Sequence, residues 1–345
     1  LELPTVFAVR SAQDFARGGI SLLTRLGIAD GLAFGAESRP SILKQAANSI
    51  DTIKVQEKLH LYIQEGISYA AALSRAIAAV TGVKETLLKK PNNILALEYL
   101  RALNHRRSTI SPLILERVGA SYHDTELHEL YASASAIRRE IQAPSPSREN
   151  LRKVLPAIVL ETLLHARNKD ELPVQALLLR PLLAQLEHYG AKGLQEIYGI
   201  NEGLENRILH AASHCCTMDD LLSQCCTRRY AKSRIQRLIF HILLHLHQED
   251  VLAFDSMGPL YARILAFNRK GKDLLHEIKQ KSSIPLISKT SHVLNDTSFK
   301  QLPEKRTSLE NMLALDIHAT ELRRLCSPKL PLRGEDFRRS PLDLS

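Results

Sequence analysis

The sequence predicts an α/β domain built on a doubly wound parallel sheet, followed by a mostly helical domain. Three observations carry this. Over residues 1–143, short apolar runs with strand character alternate with longer amphipathic runs of helical spacing, as in parallel sheets joined by right-handed crossovers. At Ala143-Pro144-Ser145-Pro146-Ser147, neighbouring prolines stop a helix and leave a linker by composition. From Arg148 onward nearly every run has helical spacing. The expected layout is residues 1–143 for the sheet domain, 148–327 for the helical domain, and 328–345 for a Pro-, Arg- and Ser-containing disordered tail.

The elements follow in order. Ser11 precedes a helix whose apolar face is Ala12, Phe15, Ala16, Ile20, Leu23 and Leu26, and Gly27 ends it. Residues 31–34 form a short strand that runs into Gly35. Residues 40–66 and 69–80 read as helical hairpins with charge outside and Leu, Ile and Ala inside. Asn92 is expected to cap a helix through Ala102, and residues 110–118 form the clearest remaining strand. Ligands on such sheets bind beyond the carboxyl ends of the strands, where Gly35, Arg117 and Ser133 fall. Further on, residues 154–167, 174–189, 204–213, 218–224 and 231–247 read as helices, with one strand around 284–287.

Composition bounds the partners. Lys and Arg exceed Asp and Glu by 46 to 37, a net charge of +9, which favours a polyanion, with nucleic acid ahead of an anionic membrane. An inert basic surface fits the same number equally well. Aromatics are only 5% with no Trp, so a platform stacking many bases is not expected. No window reaches the ~18 uninterrupted apolar residues of a membrane span, and the first nine residues lack the charged start of a signal peptide. The cysteines Cys215, Cys216, Cys225, Cys226 and Cys326 match neither a zinc spacing nor a secreted disulfide framework, so reduced thiols and a cytoplasmic location are expected. No metal site is assigned.

Several residues have the chemistry of a phosphate site. Ala132-Ser133-Ala134-Ser135-Ala136-Ile137-Arg138 places hydroxyls at a helix start, where outward amides and the helix dipole favour an anion, and Arg138 adds a cationic fork. Taken alone, such a serine is a plain helix cap. Gly35 lets a ligand approach the backbone, although any strand-ending glycine serves a turn. Asn92, followed by Asn93, stands at a helix start, and Arg117 ends a strand at the carboxyl edge of the sheet. His123 could act as acid or base or simply bond Asp124. Arg228, Arg229, Lys232, Arg234 and Arg237 lie on and before an amphipathic helix with Ile235, Leu238, Ile239, Ile242 and Leu243 on its other face. With Arg207, Arg263, Arg269, Lys270 and Lys272 they form either a solvated basic face or a phosphate-tracking surface. His241, His245 and His247 lack a zinc-protease context.

The order of Phe34-Gly35-Ala36-Glu37, Pro91-Asn92-Asn93-Ile94-Leu95, Arg117-Val118-Gly119-Ala120-Ser121-Tyr122-His123-Asp124 and Ser133–Arg138 resembles the bacterial tRNA(Met) cytidine acetate ligase family. Glu202-Gly203-Leu204-Glu205-Asn206-Arg207 and Arg229-Tyr230-Ala231-Lys232-Ser233-Arg234-Ile235-Gln236-Arg237 resemble its later signatures, so the similarity runs from Leu1 to about Leu322. The resemblance implies a nucleotidyltransferase-like Rossmann domain with Gly35, Asn92, Arg117, Ser133, Ser135, Ile137 and Arg138 at ATP. It also implies that Arg207, Arg228, Arg229, Lys232, Arg234 and Arg237 bear on tRNA. The implied reaction joins acetate to AMP, with Mg²⁺ accompanying ATP, then acetylates the wobble cytidine of elongator tRNA(Met) to N4-acetylcytidine. One departure stands out: the family's first strand and His-x-Gly-His ATP loop are absent from these 345 residues, and Leu1-Glu2-Leu3-Pro4 resembles its third strand. The expectation is an N-terminally truncated chain that forms no acetyl-adenylate by itself. Rival readings are another adenylyltransferase of the same fold and a non-catalytic RNA-binding remnant.

Overall fold

The structure, a computed structural model, describes residues 1–117, 132–294 and 305–344. It opens on helix α1 (Thr5–Ala8) and helix α2 (Ala12–Leu26). Ser11 caps α2 by accepting the Asp14 amide at 3.2 Å, and Gly27 closes it in the left-handed region at φ 73°. Strands β1 (Gly31–Ala36) and β2 (Ser111–Glu116) then pair in parallel, in register from Gly31 with Ser111 to Ala36 with Glu116. The crossover between them carries α3 (Pro40–Ser49), α4 (Ile53–Gln64), α5 (Tyr69–Thr81), α6 (Glu85–Leu88) and α7 (Pro91–His105). Its core includes Ala36, Leu43, Ile50, Val55, Ile77 and Leu97. A second core, of Ile20, Ala102, Leu103 and Ile110, fastens α2 to α7.

Helices α8 (Ala134–Gln142), α9 (Arg148–Val154) and α10 (Ala157–Asn168) share a small core of Ile141, Leu151 and Leu160. The expected single helix over 154–167 is broken at Pro156, which caps α10. The Pro-Ser run between α8 and α9 is pinned. Arg167 donates to the carbonyls of Ile141, Ala143 and Pro144 at 2.9, 2.8 and 3.0 Å, and the Ser147 amide donates to Glu140 at 2.6 Å.

The next core is formed by α11 (Leu179–Glu196), α12 (Leu204–Ser213), α13 (Met218–Cys225) and α14 (Lys232–Leu243) around Leu182, Leu186, Ile208, Leu222, Leu238 and Ile242. Then come α15 (Gln248–Met257), β3 (Ala262–Arg263), β4 (Ala266–Phe267), α16 (Arg269–Lys281), β5 (Leu286–Ile287), α17 (Ser308–Leu325), α18 (Glu335–Arg338) and β6 (Leu342–Asp343). β3 pairs with β5 and β4 with β6, both in parallel.

Three expectations are corrected. Leu1–Pro4 is not a strand of the β1–β2 sheet; it makes one antiparallel bridge, Glu2 to Arg263. Helix α1 packs with the late part of the chain: Val6 and Phe7 share a core with Leu246, Phe254, Met312 and Ile317. Asp316, buried, accepts from the Thr5 amide at 2.7 Å and the Tyr261 hydroxyl at 2.6 Å. The last residues are not a frayed tail either. Asp336 is buried against Arg263 at 2.5 Å, the Gly334 amide donates to Glu321 at 2.6 Å, and β6 completes a ladder with β4.

Candidate functional site

The parallel register of β1 and β2 brings Gly35, Glu37 and Arg117 to one edge of the sheet. The Arg117 amide donates to the Ala36 carbonyl at 2.8 Å, which continues the ladder one residue past β2. The stem of Arg117 lies over Gly35, where a Cβ would meet its Cγ at 3.1 Å. Its guanidinium donates to Asn92 Oδ1 at 3.3 Å, and Asn92 Nδ2 donates to Glu37 Oε1 at 2.6 Å. A cation, an amide and a carboxylate thus face the open end of two parallel strands, the place where such sheets hold ligands.

Asn92 is not the helix cap. Pro91 occupies the first position of α7 and Lys90 the cap, because proline's fixed φ and missing N–H suit a first helical turn. Asn93 is the structural member of the pair. It is fully buried, accepts the Glu37 amide at 2.7 Å, and donates to Ser38 Oγ at 2.7 Å and the Leu87 carbonyl at 2.8 Å. It holds the turn after β1, leaving half-buried Asn92 for Glu37 and Arg117.

Ser133 caps α8 by accepting the Ala136 amide at 3.0 Å. Ser135 and Arg138 are exposed, and Ile137 is half-buried against the α8–α10 core. Among the described residues, Ser135 and Arg138 make no hydrogen bond or ion pair to Gly35, Asn92 or Arg117. Tyr122 and His123 lie outside the described residues.

The basic cluster gathers around the start of α14. The predicted apolar face, Ile235, Leu238, Ile239, Ile242 and Leu243, is buried throughout. Arg207 and Arg228 are exposed, and Arg207 reaches the Gln224 carbonyl at 3.4 Å. Arg229 is paired with Glu202 at 2.5 Å and Lys232 with Asp219 at 3.7 Å. Arg234 donates to Asn201 Oδ1 at 3.2 Å and lies 5.0 Å from the Tyr230 ring centroid. Arg237, half-buried, makes no hydrogen bond or ion pair among the described residues. Burial and the neighbouring Arg234 charge push its pKa below the usual arginine range. His241 is buried between the Tyr198 and Val9 carbonyls at 2.9 and 3.1 Å, and burial holds its pKa down.

Sequence patterns missed what lies beside this cluster. A cavity of about 480 Å³ opens between the first turn of α2, helices α5 and α7, and α14. Gln13, Asp14 and Tyr198 line it together with Arg234 and Arg237. Only tertiary packing joins residues so distant in sequence, so no local signal announces them. Among the described residues no group of three His, Cys, Asp or Glu could hold a metal ion, and no helix is long and apolar enough to cross a membrane. Buried Cys225 has its thiol pushed up to about 11, which disfavours the reactive thiolate.

Known proteins share this fold. The family model of the HIGH nucleotidyl transferases matches residues 1–336. A tRNA(Met) cytidine acetate ligase of Thermoanaerobacter sp. (strain X514) is 34% identical over 342 residues, which span 98% of this chain and 82% of that protein. The crystal structure of apo Thermotoga maritima TmcAL superposes with a TM-score of 0.88 at 28% identity, covering 100% of this chain and 84% of that one. The same protein bound with alpha-thio ATP gives a TM-score of 0.86 at 27% identity, covering 100% of this chain and 83% of that one.

Proposed function

The chain belongs to the tRNA(Met) cytidine acetate ligase family, a nucleotidyltransferase-like family of ATP-dependent ligases, and from that premise we propose its reaction. Acetate attacks the α-phosphorus of ATP, a P–O bond breaks, and pyrophosphate leaves to give acetyl-adenylate. The N4 amine of the wobble cytidine of elongator tRNA(Met) then attacks the acetyl carbonyl, loses a proton and expels AMP. Acetate resists acylation chemistry until AMP provides a leaving group, so the protein's task is positioning and charge stabilisation.

The observation that carries this reading is the Gly35–Arg117–Asn92–Glu37 cluster at the carboxyl ends of the parallel strands. Gly35 leaves room for the Arg117 stem, and Asn92 and Arg117 offer donors to the nucleotide. Ser133, Ser135, Ile137 and Arg138 form the second wall, with Arg138 on the departing pyrophosphate. Mg²⁺, which binds through one or two carboxylates plus substrate phosphates, fits Glu37 as its protein carboxylate; it would neutralise phosphate charge. Arg207, Arg228, Arg229, Lys232, Arg234 and Arg237 hold tRNA phosphates, and the enzyme works in the cytoplasm.

The test uses the gene product that contains these residues, with ATP, acetate and a tRNA(Met) transcript. Acetate-dependent pyrophosphate release and N4-acetylcytidine at the wobble position are the expected results. Pyrophosphate release driven by a mononucleotide instead of acetate would replace this reading with a dinucleotide-forming adenylyltransferase. tRNA binding with neither product would leave an RNA-binding protein.

A further inference from the structure

The cavity between α2, α5, α7 and α14 has three chemically distinct walls. α14 contributes two guanidiniums, Arg234 and Arg237. Arg237 is without a hydrogen bond or ion pair among the described residues, although half-buried and close enough to Asp14 to feel its charge. Opposite in chemistry is the acidic wall. Asp14 is fixed by the Ser11 hydroxyl at 2.7 Å and the Tyr198 hydroxyl at 3.5 Å, and Glu98 is buried nearby on α7. The third wall is apolar, with Leu73 and Ile77 from α5 and Leu97 from α7. At about 480 Å³ the space is within the range of small-molecule sites.

A ligand that satisfies all three walls carries an anion, a flat apolar body and a hydrogen-bond donor. A nucleotide with an exocyclic amine has that form: phosphate for the arginines, base face for the leucines, amine for a carboxylate. Carboxylates accept from the cytosine N4 amine, whereas uracil presents an acceptor at the same place. Enzymes acting on RNA bases bind them unstacked, and single-stranded loops supply such bases. The position suits this. Asn92 in the first turn of α7 faces the strand ends, while Ile94, Leu97 and Glu98 of the same helix line the cavity.

We propose that this cavity receives one unstacked cytidine nucleotide of the RNA substrate, its phosphate on Arg237 and Arg234 and its amine towards Asp14. This rests on the proposed tRNA reading. The probes are CMP, UMP, AMP, cytidine and inorganic phosphate, titrated against the gene product by calorimetry and ligand-observed NMR. CMP should bind saturably, about tenfold tighter than UMP, and tighter than cytidine or phosphate. Arg237→Gln should weaken CMP about tenfold, and Asp14→Asn should bring CMP close to UMP; thermal melts confirm that each variant is folded.

Absence of saturable CMP binding overturns the proposal, as does CMP binding that both variants leave unchanged. Binding in which AMP or inorganic phosphate matches CMP also overturns it, since the cavity then takes a different ligand. Wobble acetylation is measured on the same preparations. If acetylation proceeds without cavity binding of CMP, only the cavity assignment fails. If CMP binds and discriminates as stated while no tRNA is acetylated, the cavity stands and the catalytic reading falls.

Discussion

Arg117 lies across Gly35, its Cγ 3.1 Å from where a Cβ would sit, and this contact aims its guanidinium at Asn92 Oδ1. The two residues are 82 positions apart in sequence, by subtraction of their numbers, and meet because β1 and β2 are in parallel register. Gly35 is not needed here for a left-handed turn. Its role is to leave space.

Substitution at Gly35 should therefore act on Arg117 before it acts on the fold. In Gly35→Ala the flexible arginine stem can give by a few tenths of an ångström, and ATP affinity should fall by no more than a few fold. Gly35→Val fills the space and should weaken ATP about tenfold or more, as expected for loss of one charge-assisted contact. Equilibrium ATP binding together with a melting curve checks this. A valine variant with unaltered ATP affinity would remove Arg117 from the site.

Arg138 is exposed on α8 and is assigned to the departing pyrophosphate. Arg138→Ala should lower acetate-dependent pyrophosphate release by ~10²-fold, since loss of one preorganised stabilising group commonly costs ~3 kcal/mol in the transition state. tRNA affinity should change little. Near-normal release would reduce Ser133–Arg138 to a capped helix.

The α14 cluster should report itself in salt dependence. Replacing Arg229, Lys232 and Arg234 together by Gln should weaken tRNA binding and make the slope of log affinity against log salt shallower, by roughly one unit or slightly less per lost contact. The pairs of Arg229 with Glu202 and Lys232 with Asp219 are exposed at the surface. Such pairs are worth ~0–1 kcal/mol, so they compete only weakly with RNA phosphates. An unchanged slope would mean that the RNA docks elsewhere.

His245 makes stability depend on mildly acidic pH. Burial, followed by the charges of His318, His247 and His188, holds its pKa down to about 4. Its ring stacks on His318 and meets the Tyr189 hydroxyl, whose own pKa is pushed up to about 12. The unfolded chain binds a proton near pH ~6.5, so between there and about pH 4 it holds more protons than the folded chain. Stability should thus fall as pH falls through that window. His241 and His318, also held down, act in the same sense, whereas buried carboxylates such as Asp316, held up, act oppositely. His245→Asn isolates one contribution, and asparagine tolerates the left-handed backbone at φ 53°. Its melting temperature should vary less between pH 7 and 5 than that of the parent. Equal slopes would show that His245 does not titrate as described.

Much of the local structure was legible because its causes are local. Ser11 and Gly27 bracket α2, and the apolar face of α14 was readable from helical spacing. Gly35 and Arg117 could be placed together because strands of a crossover unit run parallel. The reading erred where a distant partner decides the outcome. Prolines mark the 143–147 run as slack, but Arg167 ties its carbonyls down. Charge and Pro content mark the terminal segment as disordered, but buried Asp336 answers Arg263. At Asn92 the local rule was simply misapplied, since Pro91 already claimed the first helical position. The α2–α14 cavity has no sequence signature, because its walls come from four helices.

The bond from the Thr5 amide to Asp316 spans 311 positions, and it bears on how the chain is made. During synthesis Val6 and Phe7 leave the ribosome about 240 to 310 positions ahead of Leu246, Phe254, Met312 and Ile317, which cover them, by subtraction of their numbers. Helix α1 must therefore wait for them with its apolar side chains uncovered. At about 5–20 residues per second that delay is on the order of 15–60 seconds. Helix α1 then behaves as a clasp that engages only once α17 has been translated, so a ribosome stalled before α17 would hold α1 undocked.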